Sequence, residues 1–321
     1  MYRVIMVPVD GSAFSRVAVF QGLRLAKKNG AQLRLVRVSS MPVVLGGPEV
    51  VGLESTAWKT ERENILKHLY QLAAECRSSA GVDVTATVED GPVADALRGH
   101  ALRHNVDLIV MATHARRGLA RVWLGSVADR LIRETGLPVL VVRPPSLATE
   151  MSSGPYFKRI VIALDGSALA ERSLRPALAL AELEGAEVTL LRIVPAEMNI
   201  PVGEIHSSIG PARARDVQDA QWYVASVRIL LTQRRLSLHS AVIVAPDIPS
   251  AILGYAESRD ADLIAIATHG RGGLARAMIG SVADRLVSDG MISVLAIHPE
   301  EHATKGLVAE SRPMFAAEVS G

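Results

Sequence analysis

Gly125-Ser126-Val127-Ala128-Asp129-Arg130-Leu131 recurs unchanged 155 residues later as Gly280-Ser281-Val282-Ala283-Asp284-Arg285-Leu286. The same offset relates Asp10-Gly11-Ser12-Ala13 to Asp165-Gly166-Ser167-Ala168. It also relates Asp107-Leu108-Ile109 to Asp262-Leu263-Ile264, and Ala112-Thr113-His114 to Ala267-Thr268-His269. A constant offset held from end to end marks a duplicated domain rather than a shared short motif. The join falls in the Pro/Ser/Gly-rich run from Pro144 to Pro155, which suits an exposed linker.

Working outward from the repeat, each copy alternates strand and helix. In the first, Val4–Val9 is a short apolar run ending at Asp10-Gly11, and helical spacing follows from Ser15 to Lys28, stopped by Asn29-Gly30. Leu33–Val38 reads as a strand, Ser55–Ser79 as a long amphipathic helix and Val82–Val88 as a strand. A helix then runs to His104, Leu108–Ala112 is a strand, Gly125-Ser126 opens a helix to Glu134, and Pro138–Val142 is the fifth strand. The second copy repeats this from Ile160 to Ile297. Apolar strands alternating with helices predict an α/β fold: two doubly wound five-stranded parallel-sheet domains, each sheet covered on both faces. The expected boundaries are 1–145 and 158–300, with a linker over 146–157 and a mobile tail over 301–321.

Composition bounds the function. The 321 residues carry a net charge of +2, which disfavours a nucleic-acid protein built on a broad cationic face. No apolar run reaches the ~18 residues of a membrane helix, and a reducing cytoplasm is the expected location. The one cysteine, Cys76, falls in an apolar ladder with Ile65, Leu69 and Leu72 and reads as a small core residue.

In a doubly wound sheet, ligands bind beyond the carboxyl ends of the strands. The polar residues cluster there: Asp10 and Asp165 close the first strands, Thr113-His114 and Thr268-His269 the fourth. The informative stretch is Ala267-Thr268-His269-Gly270, nine residues, then Gly280-Ser281. Gly270 permits a positive φ and leaves no Cβ in a ligand's way. Gly280 permits close approach at the next helix. Ser281 is either the N-cap or a hydroxyl donor to phosphate, and the free first-turn amides favour an anion. The joining loop, with Arg271, Gly272, Gly273 and Arg276, is long enough to wrap a polyphosphate.

This pattern resembles the universal stress protein family, whose ATP-binding signature is G-x2-G-x9-G-[ST] after the fourth strand. The resemblance spans about residues 1–143 and 158–299. It implies the strand order 3-2-1-4-5, an adenine nucleotide alpha hydrolase-like fold, and two pseudo-two-fold related copies whose fifth strands, Pro138–Val142 and Ser293–Ile297, meet edge to edge. It implies ATP as ligand, with or without Mg²⁺, and ADP and AMP fit the same loop logic. In the second copy the implied site is Asp165 at the nucleoside, Val194 at the adenine edge, and Ala267, His269, Gly270, Arg271, Gly273, Gly280, Ser281 and Val282 around the phosphates. In the first it is Asp10, Val38, Ala112, Ala115, Gly125, Ser126 and Val127. Ala267 replaces the signature's first glycine at a strand end, where φ is negative. Ala112 and Ala115 replace both loop glycines in the first copy. A positive φ at Ala115 would cost on the order of 1 kcal/mol, so the first copy is expected to bind more weakly.

Other prominent residues have plainer readings. His114 and His269 suit polar loop positions or phosphate-side groups, outside any metal-spaced motif, and Arg116, Arg117 and Arg121 suit a solvated face or an anion clamp. Trp58, Trp123, Trp222 and Tyr223 suit packing. Met41–Glu54 and Pro195–Pro211 are long enough to be lids. There is neither a Walker A sequence nor a G-x-S-x-G elbow. The expectation is an ATP-binding regulatory module of the stress response with an unknown protein partner and little or no turnover, able to form a homodimer. A slow ATPase or phosphotransferase, and a dimerisation scaffold with a vestigial site, are the alternatives.

Overall fold

A computed structural model describes residues 2–39, 48–112, 125–143, 156–196, 211–268 and 280–298. The chain divides into two compact units, Met1–Ser152 with Val287–Val294, and Ser153–Leu286 with Leu295–Gly321. The first copy runs β1 (Val4–Pro8), α1 (Ala13–Asn29), β2 (Gln32–Ser39), α2 (Pro48–Ala80), β3 (Val84–Asp90), α3 (Val93–Arg103), β4 (Leu108–Ala112), α4 (Ser126–Glu134) and β5 (Val139–Val142). The second runs β6 (Arg159–Ala163), α5 (Ala168–Glu171), α6 (Leu174–Glu184), β7 (Glu187–Pro195), α7 (Pro211–Leu230), β8 (Leu238–Ala245), α8 (Ile248–Ser258), β9 (Leu263–Ala267), α9 (Ser281–Asp289) and β10 (Ser293–Ile297).

The strand order is β3-β2-β1-β4-β5 in the first copy and β8-β7-β6-β9-β10 in the second, the 3-2-1-4-5 arrangement twice over. The pairs β1–β2, β1–β4, β2–β3 and β4–β5 are parallel, as are β6–β7, β6–β9 and β7–β8. The strands are largely apolar because helices cover both faces of each sheet; β5, β9 and β10 are buried at every residue.

Repeated residues hold repeated corners. Asp107 Oδ2 accepts from the amides of Arg3 (2.7 Å) and Val4 (2.9 Å), and Asp262 Oδ2 accepts from those of Lys158 (2.7 Å) and Arg159 (2.9 Å). The recurring heptad is explained likewise. Ala128 and Leu131 are buried under α4, as Ala283 and Leu286 are under α9. Arg130 reaches Asp95 on α3, and Arg285 reaches Asp247, the N-cap of α8.

Several elements depart from the sequence reading. Helix α2 begins at Pro48 instead of Ser55, so the C-terminal half of the expected Met41–Glu54 lid is helix. Strand β3 lies two residues later than expected. The buried stripe of α2 is Ile65, Leu69, Ala73 and Cys76, with Leu72 turned half outward, because the i, i+4, i+8, i+11 spacing follows 3.6 residues per turn. The long first helix of copy one is two helices in copy two. Pro176 sits where Gln21 does in α1; it has no amide to give the Arg172 carbonyl, so the chain breaks at Arg172-Ser173. Trp222 is 68% exposed rather than packed, because α7 buries Ala220, Val224 and Val227 on its opposite face. Trp123, the Trp58 side chain and residues 197–210 of the second expected lid lie outside the described residues, as does the 301–321 tail.

Candidate functional site

The carboxyl ends of β1, β2 and β4 open on a cavity of about 370 Å³. Six of the seven positions singled out in the first copy line it: Asp10, Val38, Ala112, Gly125, Ser126 and Val127. The seventh, Ala115, lies outside the described residues, together with His114, Arg116, Arg117 and Arg121. Phe14, Ser15, Arg37, Leu97 and Met111 also line the cavity and were missed by the sequence reading. Arg37 had a signal: it is a charged residue at the carboxyl end of an apolar strand, and it returns as Arg192 at the repeat offset.

Local geometry explains the polar edge. Asp10 Oδ1 accepts from the Ser12 amide at 2.9 Å, closing a tight turn through Gly11, whose φ is +83°. Ser12 then caps α1 by accepting from the Ser15 amide at 3.2 Å. Burial pushes the Asp10 carboxyl up, but hydrogen bonds from Ser12 and Ser15 outweigh it and hold the group below the ordinary carboxylate range. Asp10 therefore stays ionised at neutral pH, facing the crevice.

The second copy reproduces the frame. Asp165 accepts from the Ser167 amide at 2.9 Å, and Ser167 caps α5 through the Ala170 amide at 3.1 Å. Parallel pairing of Ala163 with Ile266 places Asp165 and Ala267 at one sheet edge. Ala267 is the last residue of β9, and Val194 is buried in β7 opposite Val244. The Gly280 amide donates to the Thr268 carbonyl at 2.7 Å, which draws the start of α9 against the end of β9. Thr268 is 1% exposed, and its hydroxyl shares a hydrogen bond with His298 Nδ1 at 2.9 Å. His269, Gly270, Arg271 and Gly273, with Arg276, lie outside the described residues.

The N-cap reading of the serine is corrected. Gly125 is the N-cap of α4, and its carbonyl accepts from the Asp129 amide at 3.0 Å. The Gly280 carbonyl does the same for Asp284 at 3.0 Å. Ser126 and Ser281 are the first helical residues, both exposed. Their hydroxyls, and first-turn amides that no intrahelical carbonyl can reach, stand at the sheet edge. An anion placed there meets donors and the positive end of the helix dipole.

Comparison with known proteins agrees with this frame. The universal stress protein family model matches residues 1–143 and again 156–298. A universal stress protein of Mycolicibacterium smegmatis is 27% identical over 302 residues, 92% of this chain and 97% of that protein. One of Methanocaldococcus jannaschii is 33% identical over 147 residues, 45% of this chain and 84% of its own length. The crystal structure of a universal stress protein from Archaeoglobus fulgidus superposes with a TM-score of 0.67 over 92% of this chain and 98% of that one, at 17% identity, a likeness of fold. With the family matched twice along the same sequence, the chain belongs to the universal stress protein family and carries two of its domains in tandem.

Proposed function

We propose that this chain is an ATP-binding regulatory module of the stress response, acting in the cytoplasm through nucleotide-dependent contact with a protein partner. The observation that carries the reading is the cavity at the carboxyl edge of the first copy. Six residues from β1, β2, β4 and the start of α4, far apart in sequence, line one space of ligand size. The residues fit an adenine nucleotide: an ionised Asp10 at the β1 end, the Val38 backbone beside it, and the α4 amides at the phosphate end.

The second copy is the stronger ATP site in this proposal, through Asp165, Val194, Ala267, His269, Gly270, Arg271, Gly273, Gly280, Ser281 and Val282. It keeps a glycine, Gly270, at the position that Ala115 takes in the first copy. The phosphates bind with or without Mg²⁺ in this reading. The modules in this reading are 1–145 and 158–300. Regulation is favoured over turnover because a base or metal clamp is needed for hydrolysis, and the sequence carries no Walker A lysine.

The test is to denature the purified protein and identify released nucleotide by chromatography, then repeat it with Asp165→Ala and Gly270→Val. ATP in the wild type and its loss from both variants is expected; unchanged content in both rejects the assignment. Single-turnover hydrolysis of bound ATP at an appreciable rate would move the protein to the ATPases.

A further inference from the structure

Each copy carries an arginine at the same place on its second strand, Arg37 on β2 and Arg192 on β7, and their surroundings differ. Arg192 lies over the Tyr223 ring, 5.6 Å from its centroid. The Tyr223 hydroxyl donates to Glu171 at 3.1 Å, and Glu171 is buried, which pushes its carboxyl up despite that hydrogen bond. Strand, helix and aromatic ring thus hold Arg192 in a network of the protein's own side chains.

At the repeat offset, Glu171 and Tyr223 correspond to Arg16 and His68, and both of these are exposed. The acid that anchors the second network is replaced by a base, and the aromatic ring by an imidazole turned to solvent. Among the described residues no carboxylate pairs with the Arg37 guanidinium. It lies across the Asp10-Gly11-Ser12 turn instead, where a Cβ built on Gly11 would stand 2.5 Å from Nη1, and it lines the cavity. An unpaired guanidinium in a cavity wall presents a planar fork of donors to whatever enters. Asp10, ionised and hydrogen-bonded to Ser12 and Ser15, forms no ion pair with Arg37 among the described residues.

The cavity therefore has an anion-favouring feature at each end. β1 lies between β2 and β4. With strands about 4.8 Å apart, β2, which carries Arg37, and β4, which leads toward α4, lie about 10 Å apart. We propose that the first copy selects a ligand with anionic groups at both ends, one against Arg37 and one against Ser126 and Val127. A nucleotide bearing a second phosphate on its sugar is the simplest such chemistry. The proposal rests on the nucleotide reading for the class of ligand, and it assigns the two copies different ligands.

The experiment is calorimetric titration of the nucleotide-stripped full chain with ADP and with adenosine 3′,5′-bisphosphate. These carry two phosphates each, both in line on the 5′ oxygen in the first probe and split between the 3′ and 5′ oxygens of the sugar in the second. Wild type is expected to show one site that prefers the bisphosphate by roughly tenfold, the scale of one charge-assisted contact. Arg37→Ala should bring that preference close to unity, Arg37→Lys should keep part of it, and Arg192→Ala should leave it intact. Equal binding of the two probes by wild type, or a preference that survives Arg37→Ala, overturns the proposal. Circular dichroism of Arg37→Ala and its retained ATP separate loss of the contact from loss of fold. If no ATP is released from wild type while the Arg37-dependent preference stands, it is the ATP assignment of the second copy that fails, and the anion selectivity of the first copy remains.

Discussion

The Gly280 amide donates to the Thr268 carbonyl at 2.7 Å, and a Cβ built on Gly280 would stand 2.5 Å from the same oxygen. The third glycine of the signature thus has a structural duty, apart from any ligand: it lets a helix start against a strand end. A methyl there cannot be absorbed by a flexible neighbour, because the obstacle is backbone. Gly280→Ala is expected to destabilise by about 1–3 kcal/mol, the usual cost of overpacking. At Gly125, no atom of the described residues lies within 4 Å of a built Cβ, and φ is −59°. Gly125→Ala should therefore cost less than Gly280→Ala. Thermal melts of the two variants compare them directly, and equal losses would remove the close approach as the explanation.

Asp107 and Asp262 were visible in the sequence only as part of the repeat, and the structure gives them work at the opposite sheet edge from the crevice. Each carboxylate oxygen collects two successive amides at the start of a first strand. Removing it strands both donors. Asp107→Ala and Asp262→Ala should each cost on the order of 2 kcal/mol, as for hydrogen bonds to a charged group. Urea midpoints test this, and nucleotide content is expected to stay unchanged, since neither residue lies near the cavity edge.

The contrast between these residues shows what a sequence exposes. Element type and the duplication were legible, because apolar periodicity and a constant offset are properties of the chain itself; the strand order and the gathering of Asp10, Val38, Ala112 and Gly125–Val127 came from the family resemblance. Arg37 was not singled out, because its meaning depends on what fails to pair with it, and that depends on Arg16 and His68 on the two flanking helices. The break at Pro176 and the early start of α2 were missed for a related reason. Both turn on which backbone groups find partners, a matter of local geometry that period alone does not fix. For the serine of the Gly-Ser pair the sequence offered a cap or a hydroxyl donor, since serine favours N-caps; the structure gives the cap to the glycine, whose carbonyl accepts the first helical bond.

Cys76 is 5% exposed within the stripe that α2 turns toward the sheet, and burial pushes its thiol up, with Glu75 adding to the shift and Arg77 opposing it. A thiol held neutral and out of contact with water is a poor nucleophile. The native protein should react with a disulfide reagent such as DTNB much more slowly than the urea-unfolded chain, by at least about tenfold given the low thiolate fraction. Comparable native and unfolded rates would point to an accessible, redox-active cysteine instead.

A buried histidine gives the first copy an acid sensitivity that the second lacks. His100 has no exposed surface. Its Nε2 accepts from Arg34 Nε at 3.1 Å, so Nδ1 carries the proton and donates to Glu89 Oε1 at 2.6 Å. Arg103 also donates to that oxygen at 2.7 Å, and the His104 ring lies 4.3 Å away. Burial first, then the charges of His104 and Arg34, push the His100 pKa below its ordinary 6.5, against the pull of Glu89. For Glu89, burial works upward, but the hydrogen bonds from His100 and Arg103 hold it below 4.5. Both shifts have the same consequence. The unfolded chain binds more protons than the folded one as pH falls through 6.5 for His100 and through 4.5 for Glu89, so stability drops with acidification in both windows. At the repeat offset, His100 and Glu89 are Tyr255 and Val244, which cannot contribute this loss. His100→Gln keeps a hydrogen-bonding side chain and abolishes the titration. Its urea midpoint should therefore change less than that of wild type between pH 7.5 and pH 5, and an identical pH dependence would show that the network does not govern acid stability.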